Sequence, residues 1–131
     1  DGESQEGQIW EAAHTASQWK LGNLIAFTDY NKQQLDGYVS DISDMEYIET
    51  RWLGFNWHVQ RINGHDFDQI DRAVKRAQAV VDRPSMIILD TIKSYGFIPG
   101  EGVAANHSMA FDQKAAQKAI ADLYAREGAT L

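Results

Sequence analysis

Ser85 to Ile92 reads Ser-Met-Ile-Ile-Leu-Asp-Thr-Ile, apolar at four consecutive positions and bounded by Pro84 and a glycine-rich stretch. A strand with that pattern is buried on both faces, so it needs a neighbour strand on each side and helices above and below. The rest of the chain supplies them. Gln5 to Lys20 places Ile9, Ala12, Ala13, Ala16 and Trp19 at helical spacing, with Gly22 where a C-terminal cap would fall. Leu24-Ile25-Ala26-Phe27 predicts a short buried strand, and Asp36-Gly37 a tight turn. Met45 to Phe55 resumes a helical period, and Trp57 to Ile62 alternates as a strand that Asn63-Gly64 ends. Asp66 and Gln69 make a capping-box pattern ahead of an apolar stripe of Phe67, Ile70, Ala73, Val74, Ala77, Val80 and Val81. Residues 93–109 are irregular, and Asp112 caps a final helix over 112–127 that should turn Ala116, Ala119, Ile120 and Leu123 inward.

Helices alternating with strands predict an α/β fold of three layers, αβα, on a parallel sheet with right-handed crossovers. Residues 1–131 make one domain on length alone. Three strands are few, and the first helix has no strand to cross over from. The expectation is a domain lacking its N-terminal strands, cut from a longer chain, because Asp1 stands without an initiator Met. A content of 44% hydrophobic and 24% charged residues argues against disorder. The net charge of −7 argues against nucleic acid and anionic membrane surfaces as partners. No apolar run approaches the ~20 residues of a membrane span, and no secretory leader pattern is present, so the default expectation is cytoplasmic. Without cysteine there are no disulfides, thiolate metal sites or cysteine nucleophiles. Trp10, Trp19, Trp52 and Trp57 read as core or interface aromatics.

In an open parallel sheet, ligands collect at the carboxyl ends of the strands. Asp1-Gly2-Glu3, Asp29-Tyr30-Asn31, Gly64-His65-Asp66 and the 93–109 loop fall there. Asp1 and Gly2 open the first helix, where free N–H groups and a partial positive charge suit an anion. The Asp1 carboxylate, the Asn31 amide oxygen and a nearby backbone carbonyl suit a hard cation such as Mg²⁺ bridged to phosphate. Asp-Gly and a strand-terminal Asn are also ordinary turn punctuation, so the residues alone leave both readings open.

The runs Asp1-Gly2-Glu3-Ser4-Gln5-Glu6-Gly7-Gln8-Ile9-Trp10-Glu11-Ala12 and Lys20-Leu21-Gly22-Asn23-Leu24-Ile25-Ala26-Phe27-Thr28-Asp29-Tyr30-Asn31 resemble transketolase. The matching part is the domain that binds the diphosphate of thiamine diphosphate. The family signature is Gly-Asp-Gly followed by Asn, and Asp1 and Asn31 stand thirty residues apart. Leu35-Asp36-Gly37, Phe55-Asn56-Trp57, Gly64-His65-Asp66 and Asp90-Thr91-Ile92-Lys93 continue the resemblance through about residue 110. Three features depart from it: no Gly precedes Asp1, Ser94 replaces a loop Gly, and Asn106-His107-Ser108-Met109 lacks a His-Gly ending. That last feature is similar to the shorter bacterial forms in which transketolase is split into two polypeptides.

The resemblance implies transfer of a two-carbon ketol unit between sugar phosphates, with thiamine diphosphate and Mg²⁺ as cofactors. It implies Asp1, the Asn31 side chain and the Gln33 backbone carbonyl as Mg²⁺ ligands. Gly2, Glu3 and Asn31 would contact the cofactor, with the Gly2 N–H on the diphosphate. Glu6 and Glu11 match carboxylates near an interface that couples active sites, in a homo-oligomer or with the subunit carrying the pyrimidine-side domain. Glu3 and Glu6 equally fit the acidic first turn of a helix, which Glu11 lies beyond. The carboxylate that activates the aminopyrimidine belongs to that other domain, so the chain alone is expected to be inactive.

No pair of histidines has zinc-ligand spacing. His14 and His58 read as packing or surface residues, and His65 as structural. His107 falls near a histidine that in the family touches cofactor and substrate, where an imidazole would steer protons on substrate hydroxyls. Two alternatives share the fold: the alpha subunit of a 2-oxo acid dehydrogenase, and a docking or scaffold module without a working site. Leu35-Asp36-Gly37, and Asp29-Tyr30-Asn31-Lys32 where the dehydrogenases carry Glu-Asn-Asn, favour transketolase over the first.

Overall fold

The computed structural model describes residues 1–128. A 3₁₀ turn (Gly2–Gln5) precedes helix α1 (Gly7–Gln18), strand β1 (Ile25–Tyr30) and a small hairpin of β2 (Gln33–Gln34) and β3 (Gly37–Tyr38). Helices α2 (Val39–Ile42) and α3 (Ile48–Gly54), strand β4 (His58–Asn63), helix α4 (Phe67–Gln78) and strand β5 (Ser85–Asp90) follow. A second 3₁₀ turn (Ala104–Ser108) and helix α5 (Gln113–Glu127) complete the described chain.

The main sheet has the order β1-β5-β4, with both pairings parallel. Its centre is the strand with four consecutive apolar residues. Met86 and Ile88 point to one face, where they meet Ala13 and Ala16 of α1, Trp52 of α3 and Trp57. Ile87 points to the other, against Ala73 and Ala77 of α4. Ile87 and Ile88 are fully buried, each worth about 1.5–3 kcal/mol of transfer from water. The chain steps from β1 outward to β4 and then back to β5, so right-handed crossovers must put α3 and α4 on opposite faces. The observed layers obey that rule.

Four local expectations are corrected. The first helix is not continuous from Gln5: Glu6 is extended, ends the 3₁₀ turn and becomes the N-cap of α1. Gly22 is not a cap. A Cβ there would run into the backbone of Val81, so its role is close approach of two chain segments. Phe67 and Val81, expected in the α4 stripe, are 87% and 81% exposed, because they lie outside the turns of α4 that face the sheet. Ile120 is exposed too, while Ala119 of the same helix is buried. The Asp66 cap is as expected: its carboxylate accepts from Gln69 N at 2.9 Å and from Gln69 Nε2 at 2.8 Å.

The first helix packs through Trp10, which donates from Nε1 to Ser4 O at 2.9 Å and lies 4.9 Å from the Trp52 ring. Trp57 packs on Trp52 at 4.8 Å and donates to Ala13 O at 3.0 Å. This aromatic wedge fixes α1 against α3. Trp19, by contrast, is 70% exposed.

Candidate functional site

The carboxyl ends of β1 and β5 converge with the 3₁₀ turn at Gly2–Gln5 on one rim of the sheet. Asp1 is tied there twice. Its backbone nitrogen donates to Asp29 O at 2.7 Å, and its carboxylate accepts from Lys32 N at 2.5 Å. The second carboxylate oxygen takes the Gly2 N–H at 2.8 Å. Lys32 makes this possible by adopting a left-handed backbone, φ 66°, that swings the chain from β1 into the hairpin. A non-glycine residue in that conformation costs about 1–2 kcal/mol, and such strain gathers at functional sites.

Asn31 and Gln33 follow on the same turn. Asn31 Oδ1 accepts from Gln33 N at 2.9 Å, and its Nδ2 donates to Asp29 at 2.8 Å. Asp29 also accepts from the Thr91 hydroxyl at the end of β5, which ties the two strand ends together. The Gln33 carbonyl oxygen lies 3.8 Å from where a Cβ on Gly2 would sit. A real Cβ there would meet Gln34 Cβ at 2.7 Å, so Gly2 is what allows the first turn to seat against the hairpin. The Asp1 carboxylate, the Asn31 turn and the Gln33 carbonyl therefore stand on one rim. Each oxygen keeps lone pairs beyond the hydrogen bonds it accepts, and an all-oxygen set with one negative charge fits a hard cation. The Gly2 N–H is directed at Asp1 itself.

A cleft of about 520 Å³ opens beside this rim, lined by Tyr30, Asn31, Lys32, Gln33, Thr91 and Lys93 among others. The loop that follows β5 closes one side: Gly102 O accepts from Gln33 Nε2 at 2.9 Å, and Gly102 N donates to Lys93 O at 3.1 Å. At the sheet end, Arg61 makes a paired contact with Asp90 at 2.6 and 2.7 Å. That hydrogen-bonded guanidinium holds the Asp90 carboxyl below the usual carboxylate range. Burial holds the Tyr30 phenol above its ordinary value, so it lines the cleft as a neutral group.

Other expected residues lie elsewhere. Glu3 is exposed and lines an apolar groove with Ile9 and Phe27, on the β1 side of α1 rather than in the cleft. Glu6 and Glu11 are exposed on α1, and Glu6 caps that helix without a side-chain bond. His107 is exposed on the second 3₁₀ turn, which packs against β3. His65 accepts the Ile92 N–H on Nε2 at 2.8 Å and stacks on Tyr95 at 3.9 Å. Residue spacing passed over Asp29, Lys32 and Thr91 individually. Asp29, two residues before Asn31, was the available signal. Among the described residues no three His, Asp or Glu side chains cluster as a metal site. No helix there is long and apolar enough to cross a membrane.

Comparison with known proteins places the chain in a family. The family described as "Transketolase, thiamine diphosphate binding domain" matches residues 1–129. The 6-deoxy-6-sulfo-D-fructose transketolase subunit SqwG of Clostridium sp. (strain MSTE9) is 50% identical over 98% of this chain and 46% of its own length. An apulose-4-phosphate transketolase subunit of Phocaeicola vulgatus is 36% identical over 82% of this chain and 38% of its own. The crystal structure of transketolase from Campylobacter jejuni superposes with a TM-score of 0.84 at 29% identity, over 98% of this chain and 20% of that one. The chain thus spans less than half the length of the relatives it matches. With the parallel sheet, the layered helices and the Asp1–Asn31 rim, these likenesses agree on one conclusion: the chain belongs to the transketolase family, in its thiamine diphosphate-binding domain.

Proposed function

We propose that this chain is the diphosphate-side part of a split transketolase, which moves a two-carbon ketol unit from a ketose phosphate to an aldose phosphate. Residues 1–131 would form part of that domain. The observation that carries the reading is the convergence of Asp1, Asn31 and Gln33 on one rim, fixed by the bond from Lys32 N to the Asp1 carboxylate. Thiamine diphosphate, when bound, supplies an electron sink for breaking and forming a carbon–carbon bond beside a carbonyl.

The chain's own residues bind and orient. The Asp1 carboxylate, Asn31 Oδ1 and the Gln33 carbonyl would hold Mg²⁺, and the Gly2 N–H, now on Asp1, would serve a diphosphate oxygen. His107 holds or passes a proton at a substrate hydroxyl from the loop that flanks the cleft. Glu6 and Glu11, exposed on α1, face a second copy or a partner subunit carrying the pyrimidine-side domain. Two relatives named as transketolase subunits support that partner. The substrates of this reading are sugar phosphates, as in the pentose phosphate pathway, and phosphorylated sugars do not cross bilayers unaided, which puts the enzyme in the cytoplasm.

The test is turnover by the enzyme reconstituted with its partner subunit. Ketol transfer that requires thiamine diphosphate and Mg²⁺ supports the reading. Consumption of a 2-oxo acid in its place would return the dehydrogenase alternative, and no magnesium-dependent cofactor binding would return the docking module.

A further inference from the structure

Gln33 is 5% exposed, and its side-chain amide has one satisfied end and one that is not. Nε2 donates to the Gly102 carbonyl at 2.9 Å. A carbonyl only accepts, so the contact fixes which end of the amide is nitrogen. Oε1 is then buried without a hydrogen-bond partner. Leaving such an acceptor empty costs about 1–3 kcal/mol, and buried polar atoms left unpaired in a native protein call for a partner. Gln33 lines the cleft beside Asn31, Thr91 and Lys93. The residue's backbone N–H is already used by Asn31 Oδ1, so its side chain is held at a defined place on the rim.

We propose that the Gln33 side chain is a positioning residue of the cleft: Nε2 holds the loop after β5 at Gly102, and Oε1 accepts a hydrogen bond from an O–H group of the occupant. That group is either a metal-bound water or a hydroxyl of the sugar substrate. An amide suits both duties, because it carries its donor and its acceptor on separate atoms of one neutral, planar group. Filling Oε1 adds a favourable contact to a residue that already grips the loop, so occupancy of the cleft and order of residues 93–102 become coupled through one side chain.

This inference rests on the cofactor reading above, and the two fail differently. Two variants of the reconstituted enzyme test it: Gln33→Leu, which keeps volume and removes both contacts, and Gln33→Glu, which keeps an acceptor and loses the Nε2 donor. Amide exchange across 93–102 without any ligand should rise about tenfold in both variants, since both lose the Gly102 tether. If the donor is a metal-bound water, Gln33→Leu weakens magnesium-dependent binding of thiamine diphosphate by about tenfold, and Gln33→Glu recovers most of it. If the donor is a substrate hydroxyl, cofactor binding stays at the wild-type level while KM for the ketose rises about tenfold in Gln33→Leu. Wild-type exchange, cofactor affinity and KM in a folded Gln33→Leu enzyme would overturn the proposal. A wild-type enzyme that binds no thiamine diphosphate would overturn the cofactor reading, and the assignment of Oε1 with it.

Discussion

Lys32 N donates to the Asp1 carboxylate at 2.5 Å across 31 residues of sequence, and this bond closes the rim on which the candidate site stands. It joins the first turn of the chain to the point where β1 becomes the hairpin.

The bond uses a backbone N–H, so the identity of residue 32 matters through its conformation. Lys32→Gly keeps the N–H and removes the left-handed penalty, and should stabilise the fold by about 0.5–1 kcal/mol with cofactor affinity retained. Lys32→Pro removes the donor and cannot reach φ 66°, and should abolish magnesium-dependent cofactor binding. Calorimetric titration and denaturant midpoints check the pair.

Asn31→Ala removes an oxygen from the rim and the bond to Gln33 N, but it touches no core side chain. Cofactor affinity in the presence of Mg²⁺ should drop by about 100-fold while the unfolding midpoint moves little. Equal affinity in the variant would count against the metal assignment.

Gly22→Ala should cost about 3 kcal/mol, because a Cβ there meets the backbone of Val81, which cannot swing aside as a side chain could. Gly7→Ala is the control: nothing lies within 4 Å of its Cβ position, so its urea midpoint should match or slightly exceed wild type.

Asp90 is held below its ordinary pKa by Arg61. A carboxyl depressed in the folded state adds stability at pH values above its unfolded pKa, and loses it as pH falls through the folded value. Stability should therefore decline below about pH 4, and Arg61→Gln should flatten that decline while lowering stability at neutral pH. Unfolding midpoints measured from pH 2 to 7 decide the matter.

His107→Ala should lower kcat by about 100-fold or more in the reconstituted enzyme and leave cofactor affinity unchanged, if its imidazole moves protons on the substrate. The isolated chain should show no ketol transfer above a control without thiamine diphosphate.

The elements that the sequence made legible are those set by local pattern. Met86-Ile87-Ile88-Leu89 announced a central strand because burial on both faces leaves no polar alternation, and Asp66 with Gln69 announced a helix start because both partners lie within one turn. Asp1 and Asn31 stood among several candidates at helix and strand ends, and family resemblance alone singled them out and added Gln33, since nothing in their spacing says which strand ends meet. The contacts that assemble the rim run between distant segments: Lys32 to Asp1, Thr91 to Asp29, Gln33 to Gly102. Gly22 misled for the same reason. A helix-end glycine looks like a cap until the structure shows Val81 passing over it. Phe67 and Ile120 misled because helical spacing marks an apolar stripe without telling how far the neighbouring layer extends.

The most direct test of the account is a crystal structure of the reconstituted enzyme with thiamine diphosphate and Mn²⁺ in place of Mg²⁺, read by anomalous scattering. The account predicts one peak per site, in coordination contact with the Asp1 carboxylate, Asn31 Oδ1 and the Gln33 backbone carbonyl, and bridged to the diphosphate. A bound cofactor whose metal peak lies away from these three oxygens would contradict it.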